Sequence, residues 1–539
     1  MSQEGQPIYI LNNNIDSNQG KSAQRSNIAA AKAVAEAVRS TLGPSGSDKM
    51  LVSGEGKQVV ITNDGATILR EIDCQHPAGN LMISVAENQE EATYDGTTSS
   101  VIIAGALLAE SELLIAKGIH PTTICKGFRA ASKKALDLLK TQMDDVAKRV
   151  DSALDVDSML MPVGVTSLTG KSAETEVGLI AQLAIDAVTK ASTETRVELD
   201  DVKILTFAGA SFSDSELLDG CLIEKDPAHS QMPPAIAGPV LCLTSELEVK
   251  EMKQDAQLSI SDPASMEAFL AKEEEAIKEM VDSIKASGAA VVLVKGAIDD
   301  LASHYLSRER IIAVERVSPS DLELVRKTTG ANLVNSLKDM KEGDLGEGTA
   351  RLVQYGEHHC IHVSGGGGEK SPVTVVLRGV SSHTAEELER AFEDCIGVVS
   401  VAYEDGEYLA GGGASYAYLS RALKDYADGI GGREQMAIDA FAQALESIPR
   451  TLAENAGVDP VDAMIEMRSQ ITITPALPIY GIGRDGKVRD MVDQQVLEPS
   501  RVVTNAIKSS TEAAISILRI DDVLSMGMST PTGPPMGGM

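Results

Sequence analysis

Residues 101–114, VIIAGALLAESELL, constrain the architecture more than any other stretch of the chain. As a helix this run is apolar around most of its circumference, so it has little face to give to water and belongs at the centre of other elements. Its entrance is constrained too. Thr93-Tyr94-Asp95-Gly96-Thr97-Thr98-Ser99-Ser100 sets a carboxylate, a glycine and a row of hydroxyls just ahead of the apolar residues. The N-terminus of a helix presents unpaired N–H groups and the positive end of the helix dipole, and such a turn suits phosphate. Glu110 and Glu112 interrupt the apolar run well short of the roughly 20 residues that span a bilayer, so no membrane segment is expected.

A chain of 539 residues exceeds what one hydrophobic core supports, which predicts two to four domains. With 48 Lys and Arg against 79 Asp and Glu the formal charge is −31, a surface that repels nucleic-acid phosphates. Nucleic acid is therefore not an expected partner. The six cysteines show no CxxC spacing and the N-terminus lacks the basic-then-apolar order of a signal peptide, so a reducing, cytoplasmic compartment is expected.

Along the chain, residues 23–41 place apolar side chains at helical spacing and stop at Gly43-Pro44. KMLV and KQVVITNDG flank the Gly-rich SGEG as a predicted hairpin. From about residue 200 short strands and helices alternate, including a long amphipathic helix ending at Gly288, which marks an α/β domain. SGGGGEK at 364–370 closes it as a flexible connection, and mainly helical sequence follows to about 520. The last residues, SMGMSTPTGPPMGGM, have too little apolar surface to fold.

Four stretches share one design: Thr41-Leu42-Gly43-Pro44-Ser45-Gly46, Asn63-Asp64-Gly65-Ala66-Thr67, Asp95-Gly96-Thr97-Thr98 and Gly411-Gly412-Gly413. Each puts glycine where backbone N–H groups can approach a ligand closely, although any one of them alone reads as an ordinary turn. Asp64 and Asp95 add carboxylates that suit Mg²⁺ bridging phosphate oxygens. No GxxxxGK[ST] motif occurs, so the phosphate site is of another kind than a P-loop. His358, His359, Cys360 and His362 could ligate zinc, but in a strand 358, 360 and 362 face one way and His359 the other.

STLGPSGSDKMLV, ITNDGATIL, HPAGNLMISVAENQEEATYDGTTSSVIIAG, GIHPTTICKGF, TSLTGK, ELERAFEDCIGVV, GGGA and ILRIDDVL follow one another as in the group II chaperonins. The chain resembles the archaeal thermosome and, somewhat less, subunits of the eukaryotic chaperonin TRiC, from about residue 8 to 524. The resemblance implies a multidomain α+β and α/β fold. A mainly helical equatorial ATPase domain would comprise 1–150 and 405–524. A small intermediate hinge domain would comprise 151–217 and 369–404. An inserted α/β apical domain would span 218–368, with a helical protrusion at about 246–266 as a built-in lid and residues 525–539 as a loose tail. It further implies a double ring of eight or nine like or unlike subunits that folds unfolded or partly folded proteins with ATP and Mg²⁺ and needs no separate lid co-chaperonin.

Carried over by position, Leu42, Gly43 and Pro44 resemble the loop over the nucleotide, Asp95 the Mg²⁺ ligand, and Gly96, Thr97 and Thr98 the phosphate cradle. Asp64, with Gly65, matches the acidic turn near the γ-phosphate, and Asp394 the carboxylate that activates the attacking water. Lys171 resembles a γ-phosphate sensor, Gly412 and Gly413 the loop beside the nucleoside, and Glu498 the position near the ribose where the family usually has aspartate. The family binds unfolded protein beside the helix that starts near 298, where Ile298, Leu301, Ala302, Tyr305 and Leu306 form an apolar stripe, most of it expected in the core. Two departures stand out. Tyr94 replaces the family's glycine, and GIGRDGK at 481–487 is one residue shorter than the loop near the base. If position 94 needs φ > 0, tyrosine costs about 1–2 kcal/mol there. A weakly hydrolysing holdase or structural ring is the alternative this raises.

Overall fold

The computed structural model describes residues 15–52, 59–72, 74–150, 156–170, 176–192, 196–248, 263–365, 372–473 and 478–526. The chain forms two compact units, Met1–Lys171 with Asp405–Met539, and Ser172–Glu404. The first is thus built from both chain ends.

After strand β1 (Ile15–Gln19), helix α1 (Lys21–Arg39) buries Ile28, Ala31, Val34, Ala35 and Val38 at helical spacing. The predicted hairpin is present: β2 (Lys49–Val52) pairs antiparallel with β3 (Val59–Thr62), although its SGEG turn lies outside the described residues. Next come α2 (Gly65–Glu71), α3 (Pro77–Thr93) and α4 (Thr97–Ala116). Glu110 and Glu112 do not end α4, which at 20 residues is long and apolar enough by composition to cross a membrane, contrary to the shorter run expected. It is instead the central helix of the core. Val101, Ile102, Ile103, Leu107 and Leu108 are buried in one cluster with Ile28 and Val38 of α1 and with Phe128 of α5 (Pro121–Val150). Helix α6 (Val156–Leu168) completes this part.

The second unit begins with α7 (Val177–Ala191) and holds two sheets. Its strands and helices in chain order are β4 (Val202–Ala208), β5 (Glu216–Asp219), β6 (Cys221–Ile223), β7 (Ala235–Leu243), α8 (Pro263–Ser287), β8 (Val291–Val294), α9 (Asp300–Arg308), β9 (Ile312–Val314) and α10 (Pro319–Thr329). They continue with β10 (Leu333–Val334), β11 (Gly346–Tyr355), β12 (His358–Gly365), β13 (Val373–Gly379) and α11 (Ser382–Asp405). The larger sheet runs β6-β12-β11-β7-β8-β9 with β10 beside β7, and the smaller runs β4-β13-β5. Side chains alternate across the parallel strands as the pleat requires. Val240, Cys242, Val291 and Leu293 pack with Leu322 and Val325 of α10, whereas Leu241, Leu243, Val292 and Val294 pack with Ile277 and Ile284 of α8.

The chain then returns to the first unit through β14 (Tyr408–Ala410), α12 (Ala414–Ile430), α13 (Gly432–Leu445), α14 (Ser447–Asn455) and α15 (Pro460–Ile473). Strands β15 (Tyr480–Ile482), β16 (Val488–Asp490) and β17 (Leu497–Pro499), helix α16 (Ser500–Leu518) and β18 (Asp522–Met526) end the described chain. β18 pairs antiparallel with β1, Ile15 opposite Met526, which joins the two ends. Phe441 of α13 meets Phe128 edge to face, and Val503 and Ile507 of α16 enter the same core around α4.

Candidate nucleotide site

Two helices of the first unit begin in the same way. Gly96 before α4 and Gly413 before α12 both adopt left-handed backbone, φ 77° and 75°, and neither helix start has a side-chain cap. Apart from the Ala414 N–H, which donates to the Gly411 carbonyl at 3.2 Å, the first-turn N–H groups have no side-chain cap and can take another acceptor. Asp95 leans over the first of these turns, where its Oδ1 accepts from the Gly96 N–H at 2.7 Å. Helix α2 contrasts with them, since Asp64 caps it by accepting from the Thr67 N–H at 2.8 Å.

Several of the other predicted residues are tied to this place or to one another through named contacts. Gly65 lies against α4, where an added Cβ would sit 2.5 Å from Thr98 Oγ1. Asn63 donates its amide to the Gly170 carbonyl, and a Cβ on Gly170 would lie 2.8 Å from the Gly43 carbonyl oxygen. Asn455 of α14 holds the same loop by donating to the carbonyls of Arg39 and Leu42, at 3.2 and 2.8 Å. On the far side Gly412 accepts from the Ile482 N–H at 2.8 Å, which seats the short β15–β16 hairpin on the Gly411–Gly413 loop. Leu409 pairs with Glu498 across β14 and β17.

Burial pushes Glu498 up to about 8, and the charge of Asp95 adds to the push. The Tyr416 phenol is also raised, by burial first and then by Glu498 and Asp95. Two carboxylates close enough for the charge of one to raise the other, with two helix starts that lack side-chain caps, offer the donor chemistry of a hard divalent cation that carries phosphate. The residues therefore fit a metal–nucleotide group.

Tyr94 adopts φ 57° and ψ 3° as the left-handed C-cap of α3, its N–H donating to Glu90 O at 2.8 Å. The position does require positive φ. Lys171 lies outside the described residues, as does most of the expected lid protrusion. Asp394 is on α11, in the other unit, beside Glu393, whose carboxyl is raised by burial and then by Glu389 and Asp394.

The sequence stripe near 298 is split by the structure. Ile298, Ala302 and Leu306 are buried against α8 and the sheet, and Tyr305 is half-buried with its hydroxyl donating to Glu274 at 2.8 Å. Of the five, Leu301 is the one that is exposed, at 44%. His358 and His359 share hydrogen bonds with Glu224 and Asp226, both at 2.7 Å, Cys360 is buried, and His362 donates to the Asp219 carbonyl. No group of three metal-ligating side chains occurs among the described residues.

Sequence reasoning missed Gln89. It is fully buried beneath the Asp95 turn, and its only sequence signal is the four-residue spacing to Thr93.

A model of the TCP-1/cpn60 chaperonin family matches residues 34–527. A thermosome subunit of Pyrococcus horikoshii is 45% identical over 97% of this chain and 94% of its own length. Thermosome subunit alpha of Halobacterium salinarum is 44% identical over 97% of the chain and 92% of the relative. Thermosome subunit beta of Methanothermobacter thermautotrophicus is 44% identical over 100% and 99%.

Proposed function

Because the chain belongs to the TCP-1/cpn60 chaperonin family, as a group II chaperonin and an ATPase acting in protein folding, we propose that the cleft between Asp95, Gly65 and Gly412 is its Mg-ATP site. The observation that carries this is the pair of helix starts without side-chain caps, α4 and α12, together with the Glu498 carboxyl that burial and then the charge of Asp95 raise. Asp95 would hold Mg²⁺. The N–H groups of Thr97 and Thr98, with their hydroxyls, would take the β- and γ-phosphates. Leu42, Gly43 and Pro44 cover the nucleotide, Gly412 and Gly413 lie beside the nucleoside, and Glu498 meets the ribose. Asp64 and Gly65 border the γ-phosphate, which Lys171 senses.

Bound Mg²⁺ supplies charge neutralisation on the phosphate oxygens. Hydrolysis then needs little covalent chemistry from the protein: an oriented water and a carboxylate to accept its proton. Asp394 has that role. It is carried on the other compact unit, and slow turnover would suit a timed folding cycle.

The same reading gives the second unit an intermediate part, with the β4-β13-β5 sheet and α11, and an apical part around the larger sheet. The apical part would hold unfolded chains along α9, with Leu301 as the exposed contact, and close its own lid at about 246–266 without a separate cap. Subunits would stand in two back-to-back rings of eight or nine in the cytoplasm.

The test is a pair of variants of the assembled protein. Asp394→Ala should retain ATP binding within about threefold and lose at least about 100-fold in hydrolysis, the effect of losing a general base. Asp95→Asn should weaken Mg²⁺-dependent binding itself. Parent-rate hydrolysis by Asp394→Ala refutes the base assignment.

A further inference from the structure

Gln89 is buried in α3, and its side-chain amide makes contacts that converge on the turn holding Asp95. Nε2 donates toward the Asp95 carbonyl at 2.9 Å, the Thr93 hydroxyl at 2.9 Å and the Val502 carbonyl at 3.1 Å. Oε1 accepts from Asn505 Nδ2 at 2.9 Å. Thr93 supports the same point, its hydroxyl lying 2.8 Å from the Gln89 carbonyl and 2.9 Å from that of Asp95. One side chain thus ties the Asp95 turn to the first turn of α16, the helix that starts directly after Glu498-Pro499.

Gly96 completes the fit. A Cβ there would lie 2.7 Å from Val502 Cγ1 and 2.9 Å from Gln89 Nε2, so glycine is what lets the amide lie under the turn. The Asp95 and Val502 carbonyls fix the flip of the Gln89 amide, because they can only accept, and Asn505 then donates to its oxygen. The nitrogen is then committed to the two backbone carbonyls. A buried, satisfied amide of this kind is rigid, and losing it removes the link between the Asp95 and Val502 carbonyls.

We infer that Gln89 is a positioning residue of the nucleotide site: it sets where the Asp95 carboxylate stands relative to Glu498 and thereby the affinity for the divalent cation. This rests on the Mg-ATP reading above. Groups that orient a metal ligand typically change metal affinity 10–100-fold when removed. Gln89 acts through the backbone of Asp95 and touches no reacting atom.

The experiment measures Mg²⁺ affinity by titrating the assembled protein with Mg²⁺ at fixed ADP and reading nucleotide binding by calorimetry, so that turnover is not needed. Gln89→Met, of similar volume and without the donor, should raise the Mg²⁺ concentration for half-saturation at least about tenfold. Asn505→Ala, which removes only the anchor on Oε1, should shift it in the same direction by less, and it decides the matter if Gln89→Met does not fold. Met82→Ala, a buried core truncation on the same helix, is the control for mere loosening. Parent Mg²⁺ affinity in the Gln89 and Asn505 variants, or an equal shift in Met82→Ala, overturns the inference. If Asp95→Asn also keeps parent Mg²⁺ affinity, the Mg-ATP reading itself has failed, and that outcome is distinct from loss in Asp95→Asn with none in Gln89→Met.

Discussion

Tyr94 holds left-handed backbone at φ 57°, a conformation costing a residue with a Cβ about 1–2 kcal/mol, next to the proposed metal ligand. Glycine would remove that strain but has a greater entropy to lose on folding, about 0.5–1 kcal/mol. Tyr94→Gly should therefore change stability by less than about 1 kcal/mol, read by denaturant midpoint, and raise the ATPase rate by relaxing the turn beside Asp95. An unchanged rate with weaker ATP binding would make the ring a contact of the nucleotide instead. Positive φ here was legible in the sequence only as a condition, raised by the resemblance, which puts glycine where Tyr94 stands. Gln89 was not legible in the same way. Its partners Val502 and Asn505 lie more than 400 residues along the chain, and only the packing of α3 on α16 brings them together.

Glu446 shows how elements of the first unit are joined. It sits buried at the junction of α13 and α14 and accepts from Ser420 Oγ at 2.9 Å, Lys424 Nζ at 2.7 Å, Arg450 at 2.9 Å and Arg468 at 2.7 Å, so one carboxylate ties α12, α14 and α15. Burial alone would raise its pKa, but the hydrogen bonds from Arg468, Lys424 and Arg450 together outweigh that and hold it at about 2. The folded value is below the unfolded one, near 4.5, so this stabilisation is full above pH 4.5 and is lost as pH falls toward 2. Breaking a buried ion cluster costs about 3–5 kcal/mol, and the partly exposed cations here reduce that, so Glu446→Gln should lose roughly 2–4 kcal/mol at pH 7. It should also flatten the acid limb of a stability–pH curve; a parent-like limb would contradict this. Long elements such as α1, α8 and α11 could be read from apolar periodicity, which their own residues carry, and α4 from the length of its apolar run. The three-residue strands β14 and β17 could not: LAGGGASY reads as a loop, and the ladder exists because Glu498 lies opposite Leu409, far along the chain.

At the scale of the whole molecule, the β2–β3 hairpin exposes Met50 at 65%, Val52 at 58% and Ile61 at 41%, and a two-stranded sheet with open edges is marginal alone. β1 and β18 form a second two-stranded ribbon from the chain ends. If these edges meet between neighbours in the proposed ring, Met50→Lys with Val52→Lys should shift the protein from ring to monomer in light scattering, and intact rings would count against hairpin pairing. The central claim, that the Asp95 turn holds a metal–nucleotide group, is tested most directly by a structure of the assembled protein with Mn²⁺ and ADP. Anomalous density about 2–2.3 Å from an Asp95 carboxylate oxygen, with phosphates on the first N–H groups of α4, is the result expected for a hard cation. Nucleotide bound with its metal and phosphates away from Asp95 and Thr97 would contradict it.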